Sequence, residues 1–170
     1  MQFRRISVAL LGAVALSASA SAGAAPRVPN KNAKANVDIR APITIQNPAD
    51  LDFATLSVTG AGTARINPTT GVMTTTGGVT FLTGTPHPAR YRLTTNRVAV
   101  VFIDIPSTPI TLRRQGGPET MTVSNWTLDG LGIRVTGGVL DFNVGATLNV
   151  SANQKEGVYT GTFMVSADYL

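Results

Sequence analysis

Short stretches of alternating apolar and polar residues, separated by glycine and proline, constrain the fold of this chain most. Residues 37–45 place an apolar side chain at every second position, and such alternation indicates a β-strand. Pro42 lies within this stretch and lacks an N–H donor, so the strand is expected at a sheet edge or a bend. Helical periodicity is absent beyond residue 35, and the 23 threonines favour a half-buried pleated surface. The pattern predicts an all-β sandwich or barrel.

The same alternation predicts the other strands. Residues 90–95 turn Tyr91 and Leu93 inward. Residues 98–105 are the most apolar segment, with non-polar side chains on both faces over residues 98–103, so that strand should be central or covered. The remaining predictions are a short strand around Leu51, Phe53 and Leu56, turns at Asn67-Pro68 and Gly77-Gly78, a hairpin of residues 110–114 with 120–126, a second hairpin of residues 139–144 with 147–151 around Gly145-Ala146, and a last strand over residues 158–169.

The first 24 residues have the order of a secretory signal peptide. Arg4 and Arg5 precede an apolar run over residues 6–18, and small residues in Ala-x-Ala spacing follow. About 13 apolar residues fall short of the ~20 that span a bilayer, and no later segment is long and apolar enough. We therefore expect export to the periplasm, the cell surface or the medium, with a flexible leader over residues 25–35 and a single β-sandwich domain over residues 36–170.

The charge pattern argues against nucleic-acid binding. Removal of Arg4 and Arg5 lowers the formal net charge from +5 to about +3, and the remaining arginines are scattered among acidic residues. No basic stripe interleaved with aromatic residues is present, so no nucleic-acid partner is expected. The absence of cysteine excludes disulfides and thiolate ligands, so a packed core must stabilise the chain.

The residue types that catalysis requires are missing from any recognisable arrangement. His87, the only histidine, lies between two prolines, and no serine lies in a nucleophile elbow. One histidine without cysteine cannot build a zinc site, and the aspartates lack the spacing of a calcium loop. We expect no catalytic residue, no metal and no cofactor. Trp126, on a hairpin strand, is expected to be a core residue rather than a sugar-stacking platform.

Three segments together resemble a known set of motifs. ITIQNPADLDFATL (residues 43–56) resembles a first strand followed by Asp-Leu-Asp-Phe-Gly-Thr-Leu, LDFNVGATLNV (140–150) resembles a Phe-x-Val-Gly-Gly-Thr-Leu hairpin, and GVYTGTFMVSADYL (157–170) resembles a Gly-x-Tyr-x-Gly-Thr-Phe-x-Val-x-x-x-Tyr ending. The set is similar to a family of secreted bacterial β proteins known only as a domain of unknown function. More distantly it resembles chaperone–usher pilins and the spore coat protein U-like group. Ala54 and Ala146 replace glycines of these motifs, and the disulfide of the best-known pilins has no counterpart here.

The pilin resemblance implies an immunoglobulin-like sandwich that lacks its final strand. In such proteins a periplasmic chaperone fills the groove, and after passage through an usher the N-terminal extension of the next subunit replaces it. This implies a strand-exchange segment, and the same resemblance marks a C-terminal assembly strand. The candidates for the first are Val37, Ile39, Ala41, Ile43 and Ile45, and those for the second are Tyr159, Phe163, Val165 and Tyr169.

Two functions follow from these observations. The first is a structural or adhesive surface subunit, assembled with copies of itself into a pilus-like fibre. The second is a self-contained secreted or cell-surface module for a carbohydrate or protein ligand, in which the N-terminal strand joins its own sheet. An exported enzyme is the least supported, because the necessary side chains are missing.

Overall fold

The structure, a computed structural model, describes Val37, Ile39 and residues 42–170. All regular elements in this part are β-strands, which pair antiparallel in two facing sheets and confirm the predicted all-β class. The predicted signal peptide and leader lie outside the described residues. Within those residues, no helix is long and apolar enough to cross a membrane. The strands are β1 (Thr44–Ala49), β2 (Thr55–Ile66), β3 (Met73–Thr83), β4 (Ala89–Thr94), β5 (Ala99–Asp104), β6 (Ile110–Arg114), β7 (Thr120–Leu128), β8 (Ile133–Thr136), β9 (Val139–Val150), β10 (Tyr159–Thr160) and β11 (Ser166–Tyr169).

The first sheet is built around β9, the long central strand. β7 pairs with one edge of β9, while β4 and then β2 pair with successive halves of the other edge. The order is β1-β4-β9-β7-β6-β10, and β3 extends the sheet beyond β2. The predicted hairpin around Gly145-Ala146 is wrong, because both residues continue β9. A Cβ at Gly145 would collide with the carbonyl of Ile66, so this glycine permits a close approach of β2 rather than a turn.

Two turns were predicted in the region of β2 and β3, and the chain reverses direction at only one of them. The turn at Asn67-Pro68 is confirmed, because the Asn67 carboxamide oxygen accepts hydrogen bonds from the backbone N–H groups of Thr69 and Thr70. The predicted turn at Gly77-Gly78 is wrong. These glycines lie inside β3, opposite a register shift in β2, where their missing side chains let the two backbones approach closely.

The start of the domain also differs from the alternation pattern. Within the described residues, the first strand begins at Thr44 rather than near residue 37, and it lies at the sheet edge against β4, as Pro42 predicted. Of the short strand expected around Leu51, Phe53 and Leu56, only Leu56 lies in a strand, the start of β2, because Ala54 has a φ of 56° and interrupts the extended chain before it. Asp52 makes only an isolated bridge with His87 before β2 begins.

The second sheet has three strands in the order β11-β5-β8. The prediction that residues 98–105 are central is confirmed, because β5 lies between the other two strands. Val101 and Ile103 point inward and are buried, whereas Val100 and Phe102 are 42% and 41% exposed on the outer face. The predicted strand over residues 158–169 is wrong as one element. It pairs with the first sheet as β10, crosses over, and pairs with the second sheet as β11.

The core consists of two clusters on the same face of the first sheet. Cluster A contains Ala64, Val79, Val123, Ala146, Leu148 and Val150, and cluster B contains Ala89, Leu93, Val101, Ile103, Phe142 and Val144. The even-numbered residues of β9 supply both clusters, since alternate side chains of a strand share one face. Only cluster B includes residues of the second sheet. The three-stranded sheet therefore covers one half of the inner face of the first sheet.

Candidate functional site: an open apolar groove

The half of the inner face that the second sheet does not cover lines a groove of about 1110 Å³, although the cluster A side chains beneath it are at most 5% exposed. Val123 of β7 and Leu148 and Val150 of β9 belong to cluster A and line this groove. Around them lie half-buried apolar side chains of β6 and β7. These are Ile110, Leu112, Met121 and Trp126. Within the described residues, no side chain of β5, β8 or β11 packs on cluster A. The groove therefore lies where a second sheet would complete the sandwich.

One wall of the groove is the outer half of the β2–β3 hairpin. Leu56 and Val58 pack against cluster A and line the groove beside Leu51 and Phe53 of the preceding loop. The register shift between Val58 and Gly62 separates this half of the hairpin from the half that pairs with β9. Bulges increase the local twist of a strand and bend it. Gly77 and Gly78, which lie opposite this register shift, thus help to shape the wall.

The other wall is the C-terminal segment where it crosses between the sheets. Residues 161–165 belong to no strand pair in the described part of the chain, although β10 and β11 on either side do. Tyr159 anchors the near end, since its hydroxyl donates to the Lys155 carbonyl at 2.7 Å and accepts from the Gln154 amide at 2.7 Å. The backbone N–H and C=O groups of residues 161–165 therefore take part in neither sheet.

An aromatic pair lies at the boundary between the groove and cluster B. The Trp126 and Phe163 rings are 4.6 Å apart with an interplanar angle of 37°, and the Trp126 Nε1 donates to the Thr108 carbonyl at 3.1 Å. Trp126 packs against both clusters. Its indole thus has a structural partner for its ring and its N–H, as expected for a core tryptophan.

The structure separates the residues of the predicted strand-exchange segment. Ile45 pairs with Leu93 of β4 and Ile43 packs against cluster B, so both are engaged within their own chain. Val37 and Ile39 are each 82% exposed. Ala41 lies outside the described residues.

The candidate C-terminal residues are half-buried, and all of them are on the crossing segment or its flanking strands. Phe163 and Val165 pack on cluster B and line the groove, Tyr159 lines it from the other end, and Tyr169 packs on cluster B. Sequence reasoning missed the groove floor. The in-register pairs Ile110–Val123 and Leu112–Met121 were a usable signal, because a hairpin with apolar pairs on one face must bury that face.

Electrostatics at the groove are limited to its rim. Burial, together with the charge of Asp50, raises the pKa of the Tyr91 phenol to about 12. In the described part of the chain, no group of three or more histidine, aspartate or glutamate side chains is placed to hold a metal ion.

Fold and groove define the class: an all-β sandwich in which one sheet covers only half of the other. A family model described as a domain of unknown function, DUF4402, matches residues 43–169. The chain belongs to this family. No curated protein and no solved structure matches the chain significantly.

Proposed function

We propose that this protein is an exported structural subunit of the bacterial surface that polymerises by strand exchange. In this proposal its immunoglobulin-like sandwich is completed by a strand from a second copy. The observation that carries the proposal is cluster A, whose buried residues all come from the first sheet and on which, in the described part of the chain, no side chain of the second sheet packs. An added β-strand requires pockets for its side chains and hydrogen-bond partners for its backbone. The apolar floor of the groove offers the first, and the unpaired backbone of residues 161–165 offers the second.

The donor in this proposal is the segment before β1, with Val37 and Ile39 as its apolar side chains. Both are 82% exposed, and they alternate as residues on one face of a strand do. Burying two such side chains contributes roughly 1.5–3 kcal/mol each, or about 3–6 kcal/mol together. Hydrogen bonds to residues 161–165 would add to this. Ile43 and Ile45 stay with their own chain, because β1 pairs with β4.

Cysteine crosslinking tests the proposal cleanly, because the chain has no cysteine. One copy carries Ile39→Cys and a second carries Met121→Cys on the groove floor. After mixing and mild oxidation, we expect a disulfide-linked heterodimer on a non-reducing gel. The matched control replaces Met121→Cys by Leu131→Cys, which is exposed and does not line the groove.

A second variant separates loss of assembly from loss of folding. The mature chain with Val37→Ser and Ile39→Ser should run as a monomer on a sizing column, unfold cooperatively, and melt below the polymeric parent at a temperature that does not change with protein concentration. Val72→Ser with Leu131→Ser removes two other exposed apolar side chains and should leave oligomers unchanged. Crosslinking no greater than in the Leu131→Cys control, together with a parent protein that stays monomeric at high concentration, would refute strand exchange.

Export is part of the same proposal and has its own test. The intact mass of material from the periplasm or medium should correspond to a chain that begins between residues 21 and 25. Recovery of the protein only inside the cell, with Met1 retained, would contradict it.

The alternative proposal is a self-contained surface module that binds a carbohydrate or protein ligand. The pairing of β1 with β4 within one chain favours it, because the first strand is then already in place. It predicts a stable monomer whose melting temperature does not change with protein concentration.

A further inference from the structure

A polar hollow of about 520 Å³ lies on the face of the first sheet opposite the groove. Arg90 and Arg92 of β4 point to this face, because side chains alternate along a strand and Leu93 of β4 points to the core. Asn143 and Asp141 of β9 stand opposite them in register. The turn between β2 and β3 closes one side, and the edge strand β1 closes another. The volume is in the range of small-ligand sites.

The charged groups of the hollow leave one positive charge uncompensated. Arg92 forms a bidentate ion pair with Asp141, with Nε–Oδ1 and Nη2–Oδ2 distances of 2.7 and 2.9 Å. This pair raises the pKa of Arg92 and lowers that of Asp141, so both stay charged at neutral pH. In the described part of the chain, the Arg90 guanidinium has neither a hydrogen bond nor an ion pair. An anionic group is the natural partner for it.

The frame around these side chains is held by specific hydrogen bonds. The Asn47 amide donates to the carbonyls of Ala49 and Arg90, at 2.9 and 3.0 Å, and fixes the bulge of β1 against β4. On the other side, the Asn67 side chain holds the backbone of Thr69 and Thr70. The edge strand β1 and the turn between β2 and β3 are thus both ordered before any ligand arrives, which lowers the entropy cost of binding.

We propose that this hollow binds a carboxylate-bearing sugar unit of an acidic polysaccharide. Arg90 pairs with the sugar carboxylate. The planar Arg92–Asp141 pair offers both donors and acceptors to neighbouring hydroxyls, and Asn143 and Thr69 extend this set. Rings of Pro68 and Pro88 in the lining give the apolar faces of a sugar ring a surface for packing. A simple inorganic anion would use the charge but not these further groups.

The inference is independent of strand exchange, because it uses the opposite face of the sheet. The test is titration calorimetry of the mature protein with trigalacturonate, with the uncharged trisaccharide of galactose and with glucose 6-phosphate. We expect binding of trigalacturonate only. Arg90→Ala should weaken that binding by about tenfold or more, and Arg113→Ala, another exposed arginine outside the hollow, should leave it within about twofold.

Arg90→Ala should leave the fold intact, because Arg90 takes part in the described hydrogen bonds and strand pairs through its backbone and not through its side chain, and unchanged melting temperatures check this. No binding of trigalacturonate, equal binding of the uncharged trisaccharide, or equal loss in the two arginine variants would each overturn the proposal. Preferential binding of glucose 6-phosphate would overturn the choice of a carboxylate.

Discussion

Replacing Ala54 with glycine should raise the free energy of unfolding, although it deletes a methyl group. Ala54 has a φ of 56°, a left-handed conformation that costs an L-residue roughly 1–2 kcal/mol. Glycine removes this strain but loses more backbone entropy on folding, about 0.5–1 kcal/mol. The net expectation is a gain of about 0.5–1 kcal/mol. The Asp52 carboxylate accepts from the Ala54 N–H at 2.7 Å, a bond that glycine retains.

Ala146→Gly is the matched control, because the motifs that this chain resembles carry glycine at both positions. Ala146 is fully buried within β9, and its φ is not positive. Loss of a buried methyl costs about 0.8 kcal/mol, and a glycine within a strand costs a further ~0.5–1 kcal/mol. This variant should therefore lose about 1–2 kcal/mol. The two substitutions have the same chemistry and opposite predicted signs.

Urea unfolding followed by tryptophan fluorescence measures both variants, with Trp126 as the only reporter. The unfolding midpoints should move in opposite directions with an unchanged dependence on urea. Thermal midpoints should move by roughly 2–4 °C per kcal/mol. A destabilised Ala54→Gly protein, or two shifts of the same sign, would show that strain at Ala54 is not the controlling factor.

Three further outcomes follow from particular contacts. Phe163→Ala should cost about 2 kcal/mol in urea unfolding, below the 3–5 kcal/mol of a fully buried ring, because the ring is half-buried against Trp126. Tyr91 has its pKa raised to about 12 from 10, so folding stability should fall as the pH rises from about 10 to 12, and Tyr91→Phe should remove that part of the loss. Asp129→Asn should cost about 2 kcal/mol in thermal or urea unfolding, because Asp129 and Arg134 form a largely buried pair at 2.7 Å. A loss below about 0.5 kcal/mol for Phe163→Ala or Asp129→Asn, or identical alkaline profiles for Tyr91→Phe and its parent, would contradict the respective contact.

The outer face of the second sheet shows how the chain uses its most apolar segment. The sequence predicted that residues 98–105 were central or covered, and β5 is the middle strand of its sheet. Val100 and Phe102 nevertheless remain partly exposed beside Val135 of β8. Strand centrality follows from local pattern, whereas coverage of the second face depends on which elements remain to pack there.

The sequence by itself determined the strand-rich class, the hairpin of β6 and β7, and the inward face of β4. These features depend on a two-residue period and on local turn residues, both of which can be read within a few positions. The glycines could not be interpreted in the same way. Gly145 and Gly77 resemble turn residues, but their role is set by backbones that approach from distant parts of the chain.

Only the tertiary structure decided where the groove and the polar hollow lie. Half of the inner face has no facing sheet because the second sheet has three strands, a number that no local pattern contains. The polar hollow exists because the register of β4 against β9 places Arg90 beside Asn143 and brings the turn at Thr69 to its edge. Pairing register and sheet coverage are long-range properties, since a shift of one residue would exchange the faces of a strand.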